Sequence, residues 1–188
     1  MAGGKALPGS PGGAIFDYTG GMKLYTVYLG LGSNLGDRER NLRQAASLLG
    51  RRGIPVRRLS GLYETAPVGI TDQPWFLNAV AEARTGLPPR LVLEACLAVE
   101  RDLGRDRTSP QFRPGGPRTL DLDLLFYGSE RVHEDGLEVP HPRLHERRFV
   151  LVPLAEIAPD LVHPGLGRAV RDLLETCPDR SDLRPFRP

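Results

Sequence analysis

The sequence predicts a single α+β domain of the ferredoxin-like class, in which helices pack on a mostly antiparallel sheet. Its 188 residues suffice for one sizeable core, and 40% hydrophobic and 26% charged residues are ordinary values for a globular chain. Its segments follow the order strand, helix, strand, strand, helix, strand, which is the split β-α-β pattern of that class. We expect helices to cover one face of the sheet and to leave the other partly free for a site.

The first half of the chain contains a strand, a helix and two more strands. The segment KLYTVYLGLGS is rich in β-branched and aromatic residues and contains glycines near its end, which is typical of a strand. Asp37 is a suitable N-cap for the amphipathic helix that follows, and Gly53 ends that helix. The predicted bounds are 23–33 for the first strand, 38–52 for the helix, 54–65 and 75–85 for two strands, and 66–74 for the turn between them.

The second half begins with the clearest helix, LPPRLVLEACLAVERDLG, which has prolines in its first turn and ends at Gly104. An arginine-rich loop without periodicity, RDRTSPQFRPGGPR, precedes the fourth strand, and loops of this length are commonly functional. The predicted bounds are 87–104 for the helix, 105–118 for the loop, 119–128 for the strand, 130–148 for a mostly irregular segment with a short hairpin, and 149–159 and 167–177 for two short helices.

Composition indicates the class of protein. Residues 1–21 are rich in Gly, Pro and Ala and are predicted to be a flexible extension outside a domain spanning 22–188. A net charge of +2 argues against a protein that coats nucleic acid. Cys96 and Cys177 form no metal or redox motif, and no apolar run is long enough to span a membrane. We expect a cytoplasmic protein that binds neither nucleic acid nor membrane, and we expect a monomer.

Two aspartates stand in the fourth predicted strand. Because side chains alternate along a strand, Asp121 and Asp123 project from the same face, roughly 7 Å apart, whereas Leu120, Leu122 and Leu124 point into the core. Aspartate is a poor strand former, and two carboxylates this close repel each other. Arginine or a divalent cation must therefore offset them, and magnesium is typically held by one or two carboxylates together with substrate phosphates.

A simple alternative is that both acids face solvent on the wet side of a two-faced sheet. The neighbouring residues favour a functional site instead. Arg118 directly precedes the strand, the arginine-rich loop leads into it, and Leu125 and Tyr127 are predicted to follow the acids on the same face. We therefore predict a metal–phosphate site over which arginines close. GLGSNLG misses the G-x-G-x-x-G spacing of dinucleotide-binding proteins, and its glycines are predicted to let the chain turn from strand into helix.

Four blocks of the chain together resemble the 6-hydroxymethyl-7,8-dihydropterin pyrophosphokinases, enzymes of folate biosynthesis. The blocks are YLGLGSNLGDRERNL, YETAPVGITDQPWFLN, GPRTLDLDLLFYG and VPHPRLHERRFVLVPLAEIAP, and they run from about Tyr25 to about His163. The resemblance implies a ferredoxin-like fold. It also implies transfer of the terminal pyrophosphate of ATP to the hydroxymethyl oxygen of the pterin, with release of AMP.

The resemblance assigns the two aspartates and several basic residues to ATP and its metal ions. Asp121 and Asp123 match the family's metal-binding aspartates, and two Mg²⁺ ions would bridge them to the triphosphate. Arg118 matches a phosphate contact, and Arg105 matches an arginine that closes over the reacting groups, so all four residues are expected to serve catalysis. The ATP contacts that the resemblance implies are Glu100, Arg107, Arg118, His141 and Arg147.

For the pterin, the resemblance implies two aromatic faces and a polar edge. Phe76 and Phe149 would sandwich the ring, and Asn78 would meet its amide edge. The turn that would meet the remaining polar edge supplies Thr65, Ala66 and Val68. Phe76 stands where many members have tyrosine, and the arginine-rich loop lacks a tryptophan often found there, for which Phe112 is a candidate substitute.

Two other functions fit parts of the pattern. Ferredoxin-like domains of nucleotidyl transferases and cyclases also carry paired strand aspartates for two metals. RNA-binding ferredoxin-like modules display aromatic residues on their central strands, but the acidic pair here would repel a phosphate backbone. A zinc site at His141 and His145 is disfavoured, because Pro142 opposes the regular helix that would align both rings on one ion.

Overall fold

The computed structural model describes residues 23–108 and 113–187, so the predicted extension and Phe112 lie outside the described residues. The described part contains a six-stranded sheet in which all pairs are antiparallel. The strands of this sheet are β1 (Tyr25–Ser33), β2 (Val56–Leu59), β3 (Tyr63–Thr65), β4 (Phe76–Thr85), β5 (Asp121–Tyr127) and β8 (Leu183–Pro185). A separate hairpin is formed by β6 (Val132–Glu134) and β7 (Leu137–Val139). The helices are α1 (Arg38–Arg51), α2 (Pro89–Asp102), α3 (Arg148–Ile157) and α4 (Val170–Glu175).

The strand order confirms the predicted fold class. The strands run β5-β1-β4-β3-β8, and β2 also pairs with β4, so β1 and β4 are central. Helices α1 and α2 pack on one face through Leu42, Leu49 and Cys96, which join the alternate β4 residues Leu77 and Ala79 in one core. Within the described residues, no helix is both long and apolar enough to cross a membrane.

The opposite face of the sheet is covered at one end only. Helices α3 and α4 pack there through Leu151, Leu154 and Leu173, against Val80 of β4 and Leu125 of β5. This second core lies toward the end of β5 that follows the aspartates. The other end of the same face carries the aspartates and is left for the candidate site, as the sequence predicts.

The number and bounds of the strands differ from the prediction at two places. The expected strand 54–65 is divided, because Ser60 pairs with Val80 through both its amide and its hydroxyl and shifts the chain between β2 and β3. The C-terminal strand β8, which the sequence analysis missed, pairs with β3 at the edge of the sheet. Three residues are too few to show strand periodicity, so only the pairing reveals this strand.

A β-bulge at Leu125 makes one predicted orientation wrong. Tyr28 of β1 pairs with Phe126 while the next residue, Leu29, pairs with Leu124, so β5 has one extra residue between them. Tyr127 is therefore turned to the face opposite Leu125, into the core beneath α1 and α2. There its hydroxyl donates a hydrogen bond of 2.8 Å to the Leu87 carbonyl, just before α2.

The bulge predicts a measurable contribution from the Tyr127 hydroxyl. We expect Tyr127→Phe to lower the free energy of unfolding by about 1 kcal/mol in urea denaturation, because the Leu87 carbonyl loses its partner. Tyr28→Phe is the matched control, because its hydroxyl is 3.4 Å from Glu82 and should matter less. Equal stability of Tyr127→Phe and the unsubstituted protein would contradict the inward orientation.

Candidate active site

A row of residues crosses the central strands at the open end of the sheet. Asn78 of β4 pairs with Gly32 of β1, and Gly32 pairs in turn with Asp121 of β5. A Cβ atom on Gly32 would lie 2.8 Å from the Asn78 Oδ1 atom and 3.8 Å from the Asp121 Cβ atom. A side chain at Gly32 would therefore fill the space between the amide and the carboxylate. Because Gly30 and Gly32 lie inside β1, the prediction that they form the turn is wrong; Gly36, with a φ of 66°, lies in that turn.

Asp121 is bound by two arginines from the 105–118 loop. Its Oδ1 atom accepts a hydrogen bond from Arg105, and its Oδ2 atom lies 2.8 Å from the Arg118 Nη2 atom. Burial favours the neutral acid, but the charges of Arg118 and Arg105 outweigh it and hold the pKa of Asp121 below its ordinary value. The Asp121 carboxylate is therefore ionised at neutral pH.

Asp123 has a different environment on the same face. Among the residues that the structure describes, its one ion pair is to Arg147, whose Nη1 atom lies 3.6 Å from the Asp123 Oδ2 atom, and 38% of the Asp123 side chain is exposed. Desolvation and the neighbouring Asp121 charge raise the pKa of Asp123 above its ordinary value despite Arg147. The weak pairing leaves carboxylate oxygens of Asp123 available to a further cation.

Glu100, at the end of α2, anchors the arginines of the loop. Its side chain is 1% exposed, and its two oxygens accept hydrogen bonds of 2.6 Å from Arg105 and 2.7 Å from Arg107. The Leu122 backbone amide donates a third, at 2.9 Å, so the glutamate also binds β5. The implied contact between Glu100 and ATP stays a prediction, and what the structure shows is a buried anchor for the two arginines.

A cavity of about 650 Å³ opens beside Asp123. Its wall combines apolar side chains, among them Leu124 and Leu137, with the imidazole of His141 and several acidic residues of the β6–β7 hairpin. Burial, followed by the charge of Arg147, lowers the pKa of His141 to about 4, so this ring is neutral at physiological pH. The His141 Nε2 atom lies 3.4 Å from the Arg147 Nη1 atom. The cavity can therefore take a flat group with apolar faces and polar edges next to the acidic pair.

Both predicted pterin aromatics carry an arginine on the ring face. The Arg118 guanidinium lies 4.8 Å from the ring centre of Phe76, and that of Arg147 lies 5.6 Å from the ring centre of Phe149. These are the arginines that also face Asp121 and Asp123. A ring that stacked on the same faces would have to displace them.

The polar residues predicted for the pterin lie along β3 and β4. Asn78 is buried, and its amide nitrogen donates to the Thr65 hydroxyl at 2.7 Å. The Ala66 backbone amide donates to the Asp182 carbonyl at 3.1 Å, so that group is already engaged within the protein. Val68 is 60% exposed in the loop between the two strands.

The sequence analysis missed a buried asparagine that connects two loops at the site. The Asn34 Oδ1 atom accepts the Arg118 amide at 2.7 Å, and its Nδ2 atom donates to the Gln73 Oε1 atom and the Pro74 carbonyl. Asn34 is 2% exposed. The sequence signal for Asn34 is a polar residue directly after a buried strand, but this signal does not identify the groups to which Asn34 is hydrogen-bonded.

A family model for 7,8-dihydro-6-hydroxymethylpterin-pyrophosphokinase matches residues 28–159, which include the aspartates, the arginines and both phenylalanines described above. The chain belongs to this family. Two bacterial relatives named 2-amino-4-hydroxy-6-hydroxymethyldihydropteridine pyrophosphokinase are each 49% identical: that of Bacillus subtilis over 70% of this chain and 77% of its own length, and that of Methylorubrum extorquens over 79% and 90%.

Longer relatives match this pyrophosphokinase-family chain over a part of their length. The folic acid synthesis protein fol1 of Pneumocystis carinii is 41% identical over 86% of this chain but only 21% of its own length. This chain therefore spans about a fifth of that relative. The crystal structure of Plasmodium falciparum HPPK-DHPS superposes with a TM-score of 0.63 at 14% identity, covering 82% of this chain and 45% of that one. At this identity the superposition supports the fold alone.

The opposite pKa shifts predict opposite effects of neutralising the two acids. The raised pKa of Asp123 means that its charge costs stability at neutral pH, so Asp123→Asn should raise the free energy of unfolding there. This gain should vanish as the pH falls below the unfolded-state pKa of aspartate, about 3.9. The matched variant Asp121→Asn should be destabilising at neutral pH, because the stability of an acid with a lowered pKa is present above that range. Urea denaturation without divalent cations measures the free energy of unfolding of both variants. Changes of the same sign in the two variants at neutral pH would contradict the opposite pKa shifts.

Proposed function

We propose that this chain transfers the terminal pyrophosphate of ATP to the hydroxymethyl group of 6-hydroxymethyl-7,8-dihydropterin, a step of folate biosynthesis. The observation that carries the proposal is the acidic pair of β5, faced by Arg105, Arg118 and Arg147, in a chain of the pyrophosphokinase family. Both bacterial relatives bear the name of this activity and match most of their length to this chain.

In the proposed reaction the pterin hydroxyl oxygen attacks the β-phosphorus of ATP. A bond forms between that oxygen and the β-phosphorus, and the bond from the β-phosphorus to the bridging α–β oxygen breaks. That oxygen leaves with AMP, and the hydroxyl proton is lost to solvent or phosphate. Such transfers need positioning and charge neutralisation more than covalent chemistry, and these are what a fixed acidic pair with surrounding arginines supplies.

The residues present fit two magnesium ions brought in with ATP. Asp121 and Asp123 offer hard carboxylate oxygens from one rigid strand, and Asp123 is only weakly paired. In residues 23–108 and 113–187 no cluster of three His, Cys, Asp or Glu side chains could hold a metal, so triphosphate oxygens and water would complete the coordination. Bound magnesium would neutralise charge on the triphosphate during transfer. Arg105 and Arg118, which bind Asp121, would then turn to the phosphates.

The two substrates are assigned to neighbouring parts of the site. The nucleotide base is proposed to enter the cavity lined by Leu124, Leu137 and His141, which lies next to Asp123. The pterin is proposed to bind between Phe76 and Phe149, with its polar edge at Asn78. Gly32 supports this arrangement, because a side chain there would close the space between Asn78 and the acids. Monomeric state and cytoplasmic location stay predictions from the sequence.

A product assay tests the proposed function. We expect AMP and the pterin diphosphate to appear in equal amounts only when ATP, Mg²⁺ and the reduced pterin are all present, as measured by ³¹P NMR and chromatography. Asp123→Asn should abolish the reaction while the variant remains folded, because it removes a metal ligand but no core contact. Release of inorganic pyrophosphate in place of AMP would refute the proposal and favour nucleotidyl transfer.

Arg105 is expected to act mainly on the transition state. Arg105→Ala should lower kcat by about 10² to 10³-fold and change ATP affinity little, because a positioned cation at transferring phosphates acts where charge develops. Arg43→Ala is the control, since Arg43 lies on the exposed surface of α1 and pairs with Glu39. Steady-state kinetics measure kcat of both variants, and a parallel binding experiment measures their affinity for ATP. Weaker ATP binding with unchanged kcat would remove Arg105 from the transition state.

A further inference from the structure

The loop between β3 and β4, residues 66–75, is fastened at both ends by one side chain. Arg38, the first residue of α1, donates through Nη2 to the Glu64 Oε1 atom at 2.7 Å and through Nη1 to the Trp75 carbonyl at 2.9 Å. Glu64 lies in β3 just before the loop, and Trp75 is the residue that precedes β4. One planar guanidinium therefore spans the two ends of the loop, which a single-point cation would do less well.

A second arginine, from the C-terminal strand β8, completes a cluster that consists of Arg38, Glu64, Trp75 and Arg184. The Arg184 Nε and Nη2 atoms donate to the Glu64 Oε2 atom at 3.0 Å and 2.8 Å, and its guanidinium lies 4.9 Å from the ring centre of Trp75. Glu64 is thus held by one arginine on each oxygen, and only 16% of its side chain is exposed. The Arg38 hydrogen bond, opposed by burial and reinforced by Arg184, lowers the pKa of Glu64, which is therefore ionised at neutral pH.

The cluster lies one residue away from predicted pterin contacts at each end of the loop. Thr65, which accepts the Asn78 hydrogen bond, follows Glu64, and Phe76 follows Trp75. A displacement of the chain at either anchor would shift these groups, and displacements of about 1 Å cost roughly 10²-fold in well-oriented sites. None of the cluster side chains is among those that face the acidic pair.

We propose that Arg38 and Glu64 are positioning residues for pterin recognition: their ion pair, with the Arg38–Trp75 hydrogen bond, fixes both ends of the loop that carries the pterin contacts. The inference rests on the proposed function. It requires that breaking the pair weakens pterin binding selectively, because the proposed nucleotide cavity beside Asp123 is built from β5, α2, the β6–β7 hairpin and the segment that follows it, and it shares no residue with the cluster.

The test uses Glu64→Gln and Arg38→Met in the full chain. Binding of the reduced pterin is measured by calorimetry in the presence of Mg²⁺ and a non-hydrolysable ATP analogue, and binding of the analogue is measured alone. We expect each variant to weaken pterin binding roughly tenfold and to change analogue binding less than twofold. The double variant should lose less pterin affinity than the product of the two single losses, because both substitutions remove the shared Arg38–Glu64 pair. Glu39→Gln, which breaks the exposed Arg43–Glu39 pair of the same helix, should change neither affinity.

The outcomes separate this inference from the proposed function. Unchanged pterin affinity in Glu64→Gln and Arg38→Met, or equal losses for pterin and analogue, would overturn the positioning assignment even if thermal stability falls. If the unsubstituted protein binds no pterin and makes no AMP, the proposed function itself fails. Selective loss of pterin binding in both variants, with normal binding in Glu39→Gln, supports the positioning pair.

Discussion

Two carboxylates on one face of a stiff strand are the constraint from which the rest of the site follows. Asp121 and Asp123 cannot move apart, because β5 is hydrogen-bonded along β1, and their mutual repulsion must be offset by positive charge brought to them. That charge comes from segments without regular structure: Arg105 and Arg118 from the loop after α2, and Arg147 from the turn before α3. The acids lie on a fixed strand, whereas the arginines lie on loops and turns. The arginines can therefore change their contacts while the acids stay in place.

The same constraint explains the small residues and buried amides around the acids. Gly32 keeps the space between Asp121 and Asn78 open, and Asn34, buried directly after β1, ties the chain at Arg118 to the loop at Gln73. Buried amides of this kind are well satisfied by hydrogen bonds, so they can hold loops in place without regular secondary structure. The chain at Arg118 and the loop between β3 and β4 are therefore linked through one side chain.

Local pattern predicted much of this architecture, and its failures have physical reasons. The alternation of side chains along β5 predicted that Asp121 and Asp123 share one face and that Leu122 lies in the core, because successive side chains of a regular strand point to opposite faces. This alternation is interrupted at a bulge, and no residue type in β5 marks the extra residue at Leu125, so the predicted face of Tyr127 is wrong. Contacts between segments that are distant in the sequence could not be predicted either. The strand β8 is only three residues long, and Glu100 anchors Arg105 and Arg107 of a loop that has no periodicity.

The contacts of the three arginines differ enough to rank how readily each can leave its acid. Arg105 is bound to Glu100, to the Leu120 carbonyl and to Asp121, so leaving Asp121 still keeps it beside the site. Arg118 pairs with Asp121 and donates to the Gly116 carbonyl within its own loop. Within the described part of the chain, Arg147 has a single ion pair, at 3.6 Å, and it is to Asp123, whose pKa is raised. Under the proposed function, Asp123 is therefore the carboxylate at which an arriving cation would meet the least competition, and Asp121 would have to exchange its arginines for the cation.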